Sequence, residues 1–231
     1  MMQAMEAQLR TGLVALALDL SDAHVTSLLN YQRLIQKWNK VYNLTAVRDP
    51  GDMLTHHLLD SLAVIGPLRR QLAQMPQPVA ENGSKGNALR LLDVGSGAGL
   101  PGVVIAICCP DIRVDCVDTV GKKAAFIQQA AVVLKLQNLR GVHARVENLT
   151  EKYQVICSRA FASLADFTNW SRQALADQGV WLAMKGKHPV DELALLSRDI
   201  EVFHVEQVVV PGLDAERCLI WMRPIKPLCN D

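Results

Sequence analysis

The run Leu91-Leu92-Asp93-Val94-Gly95-Ser96-Gly97-Ala98-Gly99-Leu100-Pro101-Gly102 constrains this chain more than any other stretch. A short apolar segment of strand length enters a glycine-rich turn, and an apolar segment of helical length follows with Pro101 at its start. A buried strand, a tight loop and a helix packed back on the sheet satisfy that order. Glycines allow the turn and let a ligand approach the backbone closely. The rest of the chain repeats the alternation. Strand candidates are Leu89–Val94, Arg113–Val117, Leu139–Ala144, Val155–Ser158, Val180–Met184, Val202–Val210 and Cys218–Met222. Helix candidates between them are Pro101–Cys109, Lys122–Leu136, Leu164–Ala176 and Val190–Ser197. This pattern predicts an α/β fold with a doubly wound, parallel sheet. Only the turn around Pro211-Gly212 joins the last two strand candidates, which predicts an antiparallel pair at the end.

The first third reads differently. Met5–Leu20 is rich in Ala and Leu and predicts a helix. Ser21 and Asp22 are N-cap candidates for a second helix, along which Val25, Leu28, Leu29, Ile35, Trp38 and Val41 recur at near-helical spacing until Asn43. Pro50 suits the start of a third helix over Asp52–Ile65, with Gly66-Pro67 as its stop. Gln74–Asn87 carries two prolines and two glycines among mostly polar residues. The expected organisation is a helical cap over residues 1–75, a linker over 76–88 and an α/β domain over 89–231.

Composition narrows the function classes. The chain has 231 residues, 50% hydrophobic and 20% charged, enough for a sizeable core. Lys plus Arg is 24 against 23 for Asp plus Glu, so a basic coat over the whole surface is excluded, while a local basic patch is not. Cys108, Cys109, Cys116, Cys157, Cys218 and Cys229 form no Cys-x-x-Cys pair and have no His at finger spacing. No metal site is expected, and the thiols suit a reducing compartment. Met1–Arg10 lacks a signal-peptide pattern, and the apolar run Val103–Cys109 is far too short to span a bilayer. A cytoplasmic location is the expectation.

Two cofactors compete for the glycine loop. Gly97-x-Gly99-x-x-Gly102 matches the dinucleotide fingerprint, which would make the chain an NAD-dependent oxidoreductase. Asp-x-Gly-x-Gly-x-Gly instead resembles motif I of class I S-adenosylmethionine (SAM) methyltransferases. The loop then wraps the amino-acid end of a cofactor without phosphate. Asp93 weighs toward SAM, because a carboxylate there suits a cationic methionine end and would repel a pyrophosphate. Asp118, nineteen residues after Gly99 at the end of the second strand, can accept hydrogen bonds from ribose hydroxyls of either cofactor. A non-catalytic SAM- or RNA-binding module is a third reading.

Several separate stretches together carry a family resemblance. They are Trp38-Asn39-Lys40-Val41-Tyr42-Asn43-Leu44-Thr45, His57-Leu58-Leu59-Asp60-Ser61, Asp93–Gly102, Asp118-Thr119-Val120-Gly121-Lys122-Lys123, Ser158-Arg159-Ala160-Phe161-Ala162-Ser163 and Lys185-Gly186-Lys187. The chain resembles the bacterial small-subunit ribosomal RNA methyltransferase G family, also called glucose-inhibited division protein B, from about Leu34 to its end. Ser96 and Ala98 are variants within the loop, and Asn148–Gln154 is shorter than the family pattern. The resemblance implies SAM-dependent methylation of N7 of guanosine 527 in 16S ribosomal RNA, with S-adenosylhomocysteine as product. It also implies a seven-stranded sheet in the order 3-2-1-4-5-7-6 with strand seven antiparallel. The implied partner is the small ribosomal subunit, without a membrane, and a monomer is expected.

Residue by residue, the resemblance implies that Asp93, Gly95, Gly97, Gly99, Leu100, Asp118, Val146, Glu147 and Arg159 bind the cofactor, Leu100 through its backbone amide. Arg159, Arg145 and Lys185 are the implied catalytic residues, and Lys122, Lys123, Arg145 and Lys185 the implied RNA contacts. Guanine N7 has a free lone pair and loses no proton on attack, so no general base is needed. Arg159 or Arg145 donating to guanine O6 would orient the base while leaving N7 free. Plainer roles compete at each position. Arg159 could be a surface ion pair, Glu147 a solvated acid, and at least one of the adjacent Lys122 and Lys123 an ordinary surface lysine. His57 reads as a packing residue between cap and core, and Phe161 as a stacking partner for Arg159 or adenine.

Overall fold

β1 (Arg90–Val94) lies near the middle of a seven-stranded sheet and pairs in parallel with a strand on each side. Leu91, Leu92, Asp93 and Val94 are all buried, as a strand covered on both faces requires. The computed structural model describes residues 2–75 and 89–225. Its strands are β2 (Arg113–Asp118), β3 (Leu139–His143), β4 (Tyr153–Arg159), β5 (Leu175–Lys185), β6 (Ile200–Gln207) and β7 (Cys218–Pro224). The order is β3-β2-β1-β4-β5-β7-β6, with β7 antiparallel to both neighbours. The expected α/β class, strand order and antiparallel last pair are therefore all present.

Alternate residues of each strand divide into two apolar cores, because successive side chains point to opposite faces. Leu91, Val114, Cys116, Val155, Cys157, Leu182 and Met184 face one core. Leu92, Val94, Val117, Ile156, Trp181, Ala183 and Ile220 face the other. The first core is covered by α6 (Gly102–Cys108), α7 (Gly121–Val133) and the N-terminal helices, whose Leu9, Leu28, Leu58 and Leu62 belong to the same cluster. The second is covered by the 3-10 turn Val146–Asn148, α8 (Leu164–Ser171) and residues packed from around α9 (Val190–Ala194). Cys108, Cys109, Cys116, Cys157 and Cys218 are buried free thiols, and Cys229 lies outside the described residues. Among the described residues no helix is long and apolar enough to cross a membrane.

The N-terminal helices follow local rules. α1 (Met2–Ala15) is followed by α2 (Asp22–Tyr42), whose N-cap Ser21 accepts the His24 amide while the His24 ring accepts the Ser21 amide. That reciprocal cap is a role sequence reasoning had not given His24. Asn43 ends α2 in the left-handed region at φ 49°, as its position predicted. Asp49 caps α3 (Pro50–Met53), which runs on through a π-helical segment, Leu54–Leu59, into α4 (Asp60–Leu62).

Two expectations are corrected. Gly66-Pro67 does not stop the third helix but lies in the first turn of α5 (Ile65–Gln74), where proline's missing N–H has no partner to lose. The helix expected over Leu164–Ala176 ends at Ser171, and β5 begins at Leu175 after a 3-10 turn. Sheet pairing overrides helix propensity there: Leu175 pairs with Tyr153, and Ser171 Oγ accepts the indole N–H of Trp181 at 2.9 Å. The linker expected over 76–88 lies outside the described residues.

One hydrogen-bonding side chain ties α2 to the glycine loop. The fully buried Tyr31 hydroxyl donates to the carbonyls of Ala98 at 2.5 Å and Gly99 at 3.1 Å. Tyr31→Phe leaves both carbonyls without that donor, so urea denaturation should show a loss of about 1–2 kcal/mol. Unchanged stability would show that the loop holds its shape without α2.

Candidate active site

β1 and β4 are neighbours in the sheet, yet the helices that follow them pack against opposite cores. The chain diverges at that point and leaves a crevice beyond the carboxyl ends of the two strands, the place where open α/β sheets bind ligands. Two cavities, of about 450 and 370 Å³, open there and share Gly95 and Ala160 as lining residues.

The loop after β1 is held by its own backbone, by the Val117 carbonyl of β2, by the Tyr31 hydroxyl and by two acidic side chains. The amides of Gly95 and Ser96 donate to the Val117 carbonyl, and those of Gly99 and Leu100 donate to the Ser96 carbonyl. The Gly97 amide donates to Asp118 Oδ2 at 3.0 Å, and the Gly102 amide to Asp93 Oδ2 at 2.8 Å. Gly95, at φ +65°, sits under Phe161, and a Cβ there would lie 2.1 Å from the ring. An anion cradle needs free amides pointing at the ligand. Six of the seven amides of residues 95–102 are already bonded, two of them to the Asp93 and Asp118 side chains, which leaves few to cradle a pyrophosphate. The NAD expectation has no support in this geometry.

The larger cavity is lined by loop residues and by charged groups from three parts of the chain, with Ser96 Oγ buried and without a partner among the described residues. Asp60, 3% exposed, accepts Arg159 Nη1 on one oxygen and Arg217 Nε on the other, each at 2.7 Å. Arg159 also donates to the His56 carbonyl at 3.0 Å. The His57 ring bonds Thr45 Oγ1 at 2.7 Å through Nε2, while Nδ1 is buried without a partner among the described residues. Burial first, and Arg159 second, lower His57 to about 4, so it is neutral near pH 7. Lys185 Nζ is held by Glu192 at 2.8 Å and by the Ala162 carbonyl at 2.9 Å.

The smaller cavity has an apolar wall of Val94, Val117, Val120, Val146, Phe161 and Trp170, with Phe161 and Trp170 packed edge to face at 5.8 Å. Asp118, Lys123, Arg145 and Glu147 form its polar part. Lys123 Nζ lies 3.5 Å from Asp118 Oδ2. Among the described residues, no three of His, Cys, Asp or Glu gather as a metal cluster.

The profile of the family described as rRNA small subunit methyltransferase G matches residues 24–220. The chain belongs to that family. It is 66% identical over 220 residues to the ribosomal RNA small subunit methyltransferase G of Acidovorax sp. (strain JS42), covering 95% of this chain and 96% of the relative. It is 55% identical over 221 residues to that of Methylibium petroleiphilum (strain ATCC BAA-1232 / LMG 22953 / PM1), covering 95% of each. Among solved structures, a SAM dependent methyltransferase from Aquifex aeolicus shares the fold at a TM-score of 0.53 and 14% identity, over 78% of this chain and 96% of that one. TrmN from Thermus thermophilus does so at 0.53 and 15%, over 74% and 53%. The chain is a SAM-dependent rRNA methyltransferase of this family, and the oxidoreductase reading is set aside.

Measured against the family expectations, the structure brings some residues together and separates others. Gly95, Gly97, Leu100, Arg159 and Lys185 line the larger cavity, and Asp118, Val146, Glu147, Lys123 and Arg145 the smaller. Gly99 and the fully buried Asp93 lie behind the loop surface, where Asp93 supports the loop through Gly102. Leu100 does not offer its amide, which is taken by Ser96. Arg145 lines a different cavity from Arg159, so the two are not equivalent candidates for guanine O6. Lys122 is exposed and lines neither cavity, as the plainer reading of adjacent lysines anticipated. Arg159 is an ion pair, but with a buried carboxylate rather than at the surface. Phe161 packs on Trp170 and Gly95 rather than on Arg159. Sequence reasoning missed Asp60, Arg217 and Glu192. The available signal was Asp60 itself, a carboxylate within an apolar helical run, where a buried charge needs a partner.

Two predictions follow from the loop. Gly95→Ala forces a side chain into a left-handed position under Phe161, so calorimetry should show S-adenosylhomocysteine affinity falling about tenfold or more. Gly95→Ala with Phe161→Ala should recover part of it by removing the clash but not the strain. The second concerns Asp93, which burial raises from 3.8 to about 7, with the Gly102 amide and Arg159 partly opposing. Between those values the folded state holds a proton that the unfolded chain has released, so this group's contribution to stability is lost as pH rises toward 7. His57 acts with the opposite sign, its contribution being present above about 6.5 and lost as pH falls toward 4. Asp93→Asn removes only the first effect. Denaturation between about pH 5 and pH 8 should therefore show the variant gaining on the wild type as pH rises. A pH-independent difference would show that Asp93 is ionised throughout.

Proposed function

We propose that this chain transfers a methyl group from SAM to N7 of guanosine 527 in the 16S RNA of the small ribosomal subunit, as a cytoplasmic monomer. In this reading residues 1–75 form a cap over an α/β methyltransferase domain. The observation that carries it is the pair of cavities meeting at Gly95 beside a loop in which six of the seven amides of residues 95–102 are already bonded. Such a loop suits a cofactor end that approaches the backbone without phosphate. The site fits the cofactor in two further respects. Asp118 accepts one loop amide on each oxygen, from Gly97 and Val120, and keeps lone pairs for ribose hydroxyls. Val117, Val146 and Phe161 offer an apolar slot for adenine. Asp93 then acts from behind, by fixing Gly102.

SAM supplies an electrophilic methyl on a sulfonium centre. When bound, it would give that methyl to the N7 lone pair while the S–C electron pair returned to sulfur, so the products would be S-adenosylhomocysteine and a positively charged base. No proton moves, so the protein's task is orientation and exclusion of water, worth at best about 7–11 kcal/mol of barrier. Arg159, fixed on Asp60 and the His56 carbonyl, has further N–H donors that suit guanine O6. Lys185, already paired with Glu192, organises the Ala162 backbone and is a weaker candidate for direct chemistry. Arg145, exposed at the smaller cavity, suits a phosphate contact, and Lys122, exposed outside both cavities, could add another, which predicts binding that weakens with salt. The base must be presented unstacked, because folded RNA hides its edges.

The test uses small-subunit particles from cells lacking the protein, incubated with labelled SAM and the purified chain, with naked 16S RNA in parallel. Label recovered as 7-methylguanosine at position 527 is the expected result. Label in another nucleoside, or no transfer despite measured SAM binding, overturns the assignment.

A further inference from the structure

The π-helical segment Leu54–Leu59 and the residue after it deliver three groups to the larger cavity: the His56 carbonyl, the His57 ring and the Asp60 carboxylate. Extra-wide helical turns of this kind recur at functional sites because they redirect side chains and free carbonyls. Asp60 takes one arginine on each oxygen. Arg159 is the last residue of β4, and Arg217 directly precedes β7, so one carboxylate joins a helix to two strands distant in sequence. Both arginines and Asp60 line the cavity.

Stability alone does not account for this arrangement, since apolar side chains of similar volume fill such a position at least as well as buried ions. The charge count is informative. Two guanidinium ions and one carboxylate leave a net +1 beside the cavity, and the third cation, Lys185, is paired with Glu192. A methyl donor with a sulfonium and a product base with a positive charge would both be repelled by two uncompensated arginines. Neutral S-adenosylhomocysteine sulfur would not be.

We propose that Asp60 is a positioning and charge-balancing residue of methyl transfer, holding Arg159 and Arg217 at the cavity while cancelling one of their charges so that a cationic donor is accepted. The inference rests on the SAM reading of the site. It separates from a purely structural role because it concerns the difference between two nearly identical ligands.

The experiment measures binding of SAM and of S-adenosylhomocysteine to the full chain by calorimetry, with melting temperature alongside. Asp60→Asn should weaken SAM by about five- to tenfold relative to S-adenosylhomocysteine, because one negative charge near the sulfonium is lost. Asp60→Glu, which keeps the charge, should restore most of that ratio. Arg217→Gln removes a cation instead and should shift the ratio toward SAM, which keeps the test open if Asp60→Asn does not fold. Parallel loss of both ligands in step with the melting temperature, or an unchanged ratio in Asp60→Asn and Arg217→Gln, overturns the proposal. A wild-type chain that binds neither ligand overturns the SAM reading itself, and this inference with it.

Discussion

β1 and β4 pair side by side, and the chain leaves them toward opposite faces of the sheet. Everything functional in this molecule depends on that divergence. It follows from the burial of both faces, since a sheet with two apolar sides must send helices both ways. The crevice that results is bounded by Gly95 on one side and Ala160 on the other, the two residues common to both cavities. Because strand ends are fixed by the ladder, Arg159, Asp118 and Lys185 arrive at the rim with little freedom to move.

The glycine loop illustrates how local and distant forces combine. Its curvature comes from glycines at positive φ, a local property. Its rigidity comes from elsewhere: Asp93 beneath it, Asp118 from β2, the Val117 carbonyl and the Tyr31 hydroxyl from α2. Most of the loop's amides are thereby bonded before any ligand arrives, at the cost of a buried carboxyl with one oxygen unpartnered among the described residues. A loop so occupied is poorly suited to phosphate and well suited to a cofactor recognised by shape, ribose and adenine.

The N-terminal helices are more than a cover. They share the larger apolar core with the sheet, and they contribute His56, His57 and Asp60 to the cavity wall. Arg159 is therefore oriented by groups about one hundred residues away in the chain. The site is a joint product of the helical third and the α/β part, and neither alone contains its charge pattern.

What the chain's order of residues determined by itself was the alternation of elements, the loop and the helix ends. Each depends on nearest neighbours: apolar runs of strand length, Ser21 as a cap, Pro50 at a helix start, Asn43 as a left-handed stop, glycines in the turn. Family membership was legible for the same reason, since it resides in short motifs. The positions that failed were those where tertiary forces outweighed local preference. Arg172–Ala176 left the α-helix because Leu175 found a strand partner, and Pro67 was absorbed into a first turn that has no use for its N–H. Only the folded structure could decide which charges meet. Asp60, Arg159 and Arg217 lie far apart in sequence, and Lys122 differs from Lys123 only by the direction each faces on one helix. Pairing of that kind is set by how helices and strands pack, which no window of neighbouring residues contains.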